Sequence, residues 1–401
     1  MSQITRRLSL LAISLVVAGG ASCSSATSPA GGTGGSGSPG SGGSVGAGSG
    51  GSANGIGGAP GSGGANGVGG GSGIGGAPAG SGGVTGAGGA ASALWRCPSG
   101  TFVPLTSTTA LAAPSRLAGV PPADSYAQGF SIIEGPVWLG DALYVSQIMG
   151  GMAPPPSRIL KIIPGSPAPA TVFAFNDGTN GLAIMPDGDL VGAIHLDGSV
   201  CRVPLASPNG LIPIALFYGA DRFNSPNDLA VRSDGNIYFS DPAGDQAPAP
   251  HPQSLTRVYR ISPLPAAVVS VVDETLSQPN GVTLSLDEQT LYVSGPGLYK
   301  YPVLADGSVG ARQPAVATPT MYAGSDGMVI DCAGDLYVTT NQSVVVINPA
   351  GVEVGRINVA GVQAVTNVAF GGADHRTLFI TTLDGNPGIF TVAMPLPGMP
   401  Y

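Results

Sequence analysis

The chain has 401 residues, with 23 Asp and Glu against 15 Lys and Arg, for a formal net charge of −8. That balance, without any basic cluster, excludes nucleic acid as a partner, because binding it needs grouped Lys and Arg to replace counterions. Charged residues make up only 9% of the chain and Gly alone numbers 66, but one segment carries most of that bias.

Residues 1–23 read as an export signal. Arg6 and Arg7 form a positive start, Leu8 to Val17 an apolar run, and Ala21-Ser22 small residues before Cys23. The run is short for a bilayer span. Thr5-Arg-Arg-Leu8 faintly matches a twin-arginine leader. Gly20-Ala-Ser-Cys23 is similar to a lipobox, in which Cys23 would be lipidated and attach the chain to a membrane. Gly20 replaces the large aliphatic residue usual there, and ordinary cleavage near Ala21 is the alternative.

Residues 24–93 are almost wholly Gly, Ser and Ala, and no charged residue lies between Arg7 and Arg96. Such a segment has no side chains with which to bury a core, so it is expected to be a disordered linker reaching roughly 45 Å. Leader and linker together predict export from the cytoplasm, to the bacterial cell envelope or as a periplasmic or secreted protein.

Residues 94–401 remain for a folded domain, and they repeat one plan. A polar residue opens each copy, an apolar strand follows, then a turn, then a strand ending in Tyr or Phe beside β-branched residues. The openings are Glu134, Asn180, Asn227, Asn280, Asp326 and Asn367, spaced by 46, 47, 53, 46 and 41 residues. A period in that range, built of short strands, predicts an all-β fold, a six-bladed β-propeller. One innermost strand per blade would then line a central channel. The opening residues would form a ring at its mouth, and two carboxylates with four amides suit a hard divalent cation.

The motifs Glu134-Gly-Pro-Val-Trp138, Asn224-Ser-Pro-Asn-Asp-Leu-Ala-Val231, Gln278-Pro-Asn-Gly-Val282, Ser325-Asp-Gly-Met-Val-Ile-Asp331 and Thr366-Asn-Val-Ala-Phe-Gly-Gly372 carry a family resemblance. In this order they resemble the gluconolactonase branch of the regucalcin and gluconolactonase family, over about Gly129 to Thr382. The resemblance implies a propeller holding one divalent cation at the channel mouth, most often calcium, with zinc or manganese as alternatives. It implies Glu134, Asn227, Asn280 and Asp326 as metal ligands, with substrate contact as the alternative for Asn227, and Asp326 also as catalytic base. The substrate implied is a small-molecule sugar lactone, opened by hydrolysis to the aldonic acid. His195, where relatives often carry a histidine, is expected to shuttle a proton or touch substrate, with a solvated loop position as the alternative.

Asn180 and Asn367 are expected to be turn residues, because Asn before Gly or at a strand start bonds its local backbone. His251 and His375 read as surface residues, and Trp138 as packing between blades. Asp228 reads equally as a local turn residue and as a group orienting Asn227. Arg222 is comparable with a substrate-binding arginine of the animal branch, though its spacing to Asn227 is longer. Cys97, Cys201 and Cys332 allow one disulfide without choosing the pair. Pro-rich loops around Gly150 to Ser157 and Gly244 to Ser254 are expected to shape the pocket. Two other functions fit the same pattern: hydrolysis of other esters or organophosphates, and a propeller that only binds a ligand.

Overall fold

The computed structural model describes residues 95–120, 130–149, 157–166, 170–176, 178–195, 197–243, 253–384 and 388–400. The expected leader and linker, His251 and much of both Pro-rich loops lie outside these residues. The domain is all-β, and a single 3-10 turn at Pro319–Tyr322 is the helical element among the described residues. No helix among them is long and apolar enough to cross a membrane.

The strands form antiparallel meanders, each running from an inner strand outward. Four sheets have four strands, starting from Thr179–Ile184, Leu229–Val231, Val282–Leu284 and Ser325–Ile330. An eight-stranded sheet joins two further meanders, which start from Phe130–Leu139 and Ala364–Gly371, through the pair Ile132 and Leu383. A two-stranded hairpin, Phe217–Tyr218 with Asp221–Arg222, stands apart. Every sheet is open, and the whole is propeller-like.

Short alternating segments rich in Val, Ile, Tyr and Phe become these strands because branched and aromatic side chains pack well on a pleated surface. The buried clusters fill the spaces between successive meanders. Val191 and Val200 meet Phe239 and Tyr259, for example, and Val329 and Tyr337 meet Phe370 and Leu378. Ile133 and Leu160 meet Phe379 and Ile389, which packs the first meander against the last. The inner strands touch in chain order, and Phe130–Leu139 touches Ala364–Gly371.

The segment before the first meander is bound to the last two. Ser115–Arg116 adds an edge strand to Ile389–Ala393, and Leu105 N donates to Asp335 Oδ2 at 2.7 Å. Cys97 pairs with Cys332 in a disulfide, settling a choice that three distant cysteines left open. His375 is a buried residue rather than a surface one, because Trp95 stacks on its ring at 3.9 Å. Trp138 packs between meanders as expected, stacked on Phe379.

Candidate functional site

The opening residues gather at one end of the inner strands, and a recurring backbone defect puts them there. Pairing with the second strand slips between Glu134 and Val137, Thr179 and Leu182, Ser325 and Met328, and Val365 and Val368. Each slip is a bulge, which leaves residues out of register and re-aims side chains. It falls on Gly135, on Asn180-Gly181, on Asp326-Gly327 and on Thr366-Asn367. Asn227 and Asn280 occupy the matching place just ahead of their strands, with their N–H groups bonded to Ser240 O and Ser294 O at 2.9 and 3.0 Å.

Glycine after the opening residue is a packing requirement here. A Cβ on Gly135, whose φ is +52°, would stand 2.2 Å from Asn180 O. One on Gly281 would stand 2.3 Å from Asp326 O. Hydroxyls at the ends of the second strands make the other links. Ser240 Oγ donates to Asn280 O at 2.5 Å, Ser294 Oγ to Asp326 O at 2.6 Å, and Thr339 Oγ1 to Thr366 O at 3.1 Å. Thr366 Oγ1 donates to Ile133 O at 2.6 Å, linking the last meander to the first. Ser240 and Ser294 thus fix the neighbouring opening residues Asn280 and Asp326, and Thr339 fixes the residue ahead of Asn367.

Glu134 is buried at 4% exposure, with Gly135 N donating to its Oε2 at 3.1 Å. Burial, with the nearby Asp228 carboxylate, raises its pKa well above the usual carboxylate range. Asp228 is also buried; Leu229 N donates to its Oδ1 at 2.9 Å and Val282 N to its Oδ2 at 3.0 Å. Its pKa is pushed up to about 7 by burial. The Asn367 side chain lies near both carboxylates and offsets part of their rise in pKa, while Val368 N donates to Asn367 Oδ1 at 2.8 Å. Asn367 therefore does more than the local turn expected of it, and Asp228 reaches beyond its own turn to the next inner strand.

His195 ends the strand Leu190–Ile194, with its N–H bonded to Gly178 O at 2.7 Å. Its Nε2 lies 2.5 Å from Asn180 Nδ2, so the amide donates and the ring carries its proton on Nδ1. Burial lowers the imidazole pKa to about 3, which keeps the ring neutral. Asn180 is thus a partner of His195, and its side chain does not make the bond to local backbone expected of a turn residue. Asp241 holds the approach to Asn227, its carboxylate accepting from Asn224 N at 3.0 Å and Ser225 N at 2.7 Å.

Among the described residues, no group of three or more His, Cys, Asp or Glu forms a metal cluster. The donor set is instead mixed, of carboxylates and carboxamides. Among the described residues, Asn280 Oδ1 is buried without a hydrogen-bond partner, as are Asn180 Oδ1 and His195 Nδ1. Neither Glu134 nor Asp228 draws compensation from a Lys or Arg among the described residues. Buried carboxylates without a counter-charge among the described residues, and an orphaned amide oxygen two residues ahead of the Val282 that bonds Asp228, fit a hard cation, which takes oxygen ligands.

An all-β, propeller-like domain with acids and amides collected at one end of its inner strands is the class that fold and site define. The chain belongs to the SMP-30/Gluconolactonase/LRE-like family, whose model matches residues 133–384. It is similar to the gluconolactonase of Zymomonas mobilis subsp. mobilis, 29% identical over 281 residues covering 62% of this chain and 75% of that one. It is also similar to a pentonolactonase of Haloferax volcanii, 28% identical over 268 residues, 63% and 82% of the two chains. Among solved structures, a gluconolactonase from Xanthomonas campestris is 25% identical with a TM-score of 0.57, covering 72% of this chain and 99% of that one. A calcium-binding regucalcin from Agrobacterium tumefaciens shares the fold at 18% identity and a TM-score of 0.57, over 73% and 98%.

Proposed function

We propose that this protein is a metal-dependent lactonase that hydrolyses a sugar lactone to its aldonic acid. The observation that carries the reading is the buried set of Glu134, Asp228 and Asn367 beside the orphaned Asn280 oxygen. The lactonases among the relatives support the substrate class. In this reading the domain, residues 94–401, is six-bladed, the eight-stranded sheet counting as two blades, and the inner strands surround a channel.

Glu134, Asn227, Asn280 and Asp326 would hold a divalent cation, calcium first and zinc or manganese next. When bound, it supplies Lewis acidity to the lactone carbonyl and offsets the buried negative charge. Asp326 accepts a proton from the attacking water as its oxygen adds to the acyl carbon. The acyl–oxygen bond of the ring then breaks, and that proton passes to the ring oxygen, giving a hydroxy acid. His195, neutral and with Nδ1–H unpartnered, donates a hydrogen bond to a substrate oxygen. Asp228 and Asn367 keep Glu134 in place.

The disulfide between Cys97 and Cys332 favours an oxidising compartment. That supports export to the cell envelope, with residues 1–23 as leader, 24–93 as disordered linker and Cys23 as a lipidation site. The test is a panel assay of the full chain against aldonolactones, aryl esters and an organophosphate, each with and without added calcium. Aldonolactone turnover at least about tenfold above the other classes supports the reading, and preference for an ester or phosphotriester overturns it.

A further inference from the structure

The turn that carries His195 is held by a charge pair from elsewhere in the chain. Arg222 Nη1 donates to the Asp197 main-chain oxygen at 2.6 Å and to Asp197 Oδ1 at 3.0 Å. Asp197 Oδ2 accepts from Ser199 Oγ at 3.1 Å, and Gly198 N donates to His195 O at 3.4 Å. The Arg222 and Asp197 side chains are only 15% and 7% exposed, so solvent screens the pair weakly.

Arg222 is itself fixed. It ends the hairpin pairing Phe217–Tyr218 with Asp221–Arg222, and its guanidinium lies 5.2 Å from the Phe217 ring centroid. Gln253 Nε2 donates to the main-chain oxygens of Tyr218 and Asp221, bracing that hairpin. The next residue, Phe223, is fully buried, and the chain then enters Asn224 and Ser225, gripped by Asp241. Arg222 therefore joins the turn bearing His195 to the segment bearing Asn227.

We propose that Arg222, through Asp197, is a positioning residue that holds His195 on Asn180 in the geometry used for lactone opening. The proposal rests on the lactonase reading for its kinetic consequence and on the Asp197 contacts for its structural one. It also assigns Arg222 a task other than grasping substrate, since its Nη1 is committed to Asp197.

The experiment compares wild type, Arg222→Gln, Arg222→Lys, His195→Gln and the Arg222→Gln/His195→Gln double variant as full chains. Two readouts are taken: lactone kinetics and the ring resonances of the three histidines. Misplacement of a reacting group by about 1 Å costs on the order of a hundredfold. Arg222→Gln is therefore expected to lower kcat by about that factor with KM within about threefold, and Arg222→Lys to recover part of it. In the His195→Gln background the arginine change is expected to add nothing. The His195 resonances shift in Arg222→Gln, while those of His375 stay.

A rise in KM with kcat intact makes Arg222 a substrate contact and overturns the proposal. So does a loss that multiplies with that of His195→Gln, or a His195 resonance that does not move. If Arg222→Gln does not fold, Asp197→Asn, which removes the charge from the other side, is judged by the same criteria. If wild type opens no lactone, the functional reading fails, and the His195 resonance alone decides the positioning claim.

Discussion

Gly327→Ala tests whether the inner strands pack as tightly as described. An added methyl would stand 2.0 Å from Asn367 Cγ and Oδ1, whereas non-bonded carbons rest at about 3.5–4.0 Å. Asn367 would have to retreat by about 1.5 Å, giving up its bond from Val368 N and its contacts to Glu134 and Asp228. Overpacking of this kind costs about 1–3 kcal/mol, and each lost hydrogen bond to a charged group about 1.5–3 kcal/mol. A net loss of about 3 kcal/mol corresponds to a fall of about 6–12 °C in melting temperature for a domain of this size. The control is Gly188→Ala, where φ is +94° but nothing lies within 4 Å of the added carbon. It is expected to cost about 1–2 kcal/mol of backbone strain and to leave turnover unchanged. Thermal unfolding and lactone kinetics of the two variants give the comparison. Gly327→Ala with wild-type melting and turnover would refute the packing of Asn367 against Glu134 and Asp228.

Other outcomes follow from single features. The Cys97–Cys332 disulfide spans 235 residues of sequence, so replacing both with Ser is expected to cost up to about 5 kcal/mol through the unfolded chain. KM should stay within about twofold, because Cys332 lies beyond the far end of Ser325–Ile330, the strand that carries Asp326 at its start; a loss of substrate affinity at unchanged stability would contradict this. Burial raises the Asp241 pKa from 3.8 to about 7, so the folded state holds a proton that the unfolded state has released. That contribution is complete below about pH 4 and is lost as pH rises through about 7, with a ceiling of roughly 4 kcal/mol. Melting temperature of the chelated protein should therefore fall between about pH 4 and 7, and Asp241→Asn should flatten the slope; an equal slope in the variant would show that other groups carry it.

The strand pattern and the repeat were legible because alternation and spacing are local properties. Glu134 and Asp326 stood out for the same reason, as carboxylates placed before Gly in apolar strands. Asn367 and Asn180 did not, since Asn at a strand start has a sufficient local partner in its own backbone. What distinguishes them lies on other strands: Glu134 and Asp228 for Asn367, His195 for Asn180. The Ser and Thr ending the second strands looked like β-formers, and their bonds to neighbouring inner strands cross up to 40 residues of sequence. His375 looked exposed because Trp95, the residue covering it, comes from the opposite end of the domain. In each case the missing signal was a partner brought in by the packing of sheets, which local pattern does not encode.

The most direct test of the account is lactone hydrolysis by the full chain after chelation, after return of calcium, zinc or manganese, and in the Asp326→Asn variant. The account predicts turnover that vanishes with the chelator and returns with one of the metals, and a variant that stays folded but loses on the order of a hundredfold or more in rate. Full turnover in the chelated protein, or in Asp326→Asn, would contradict it.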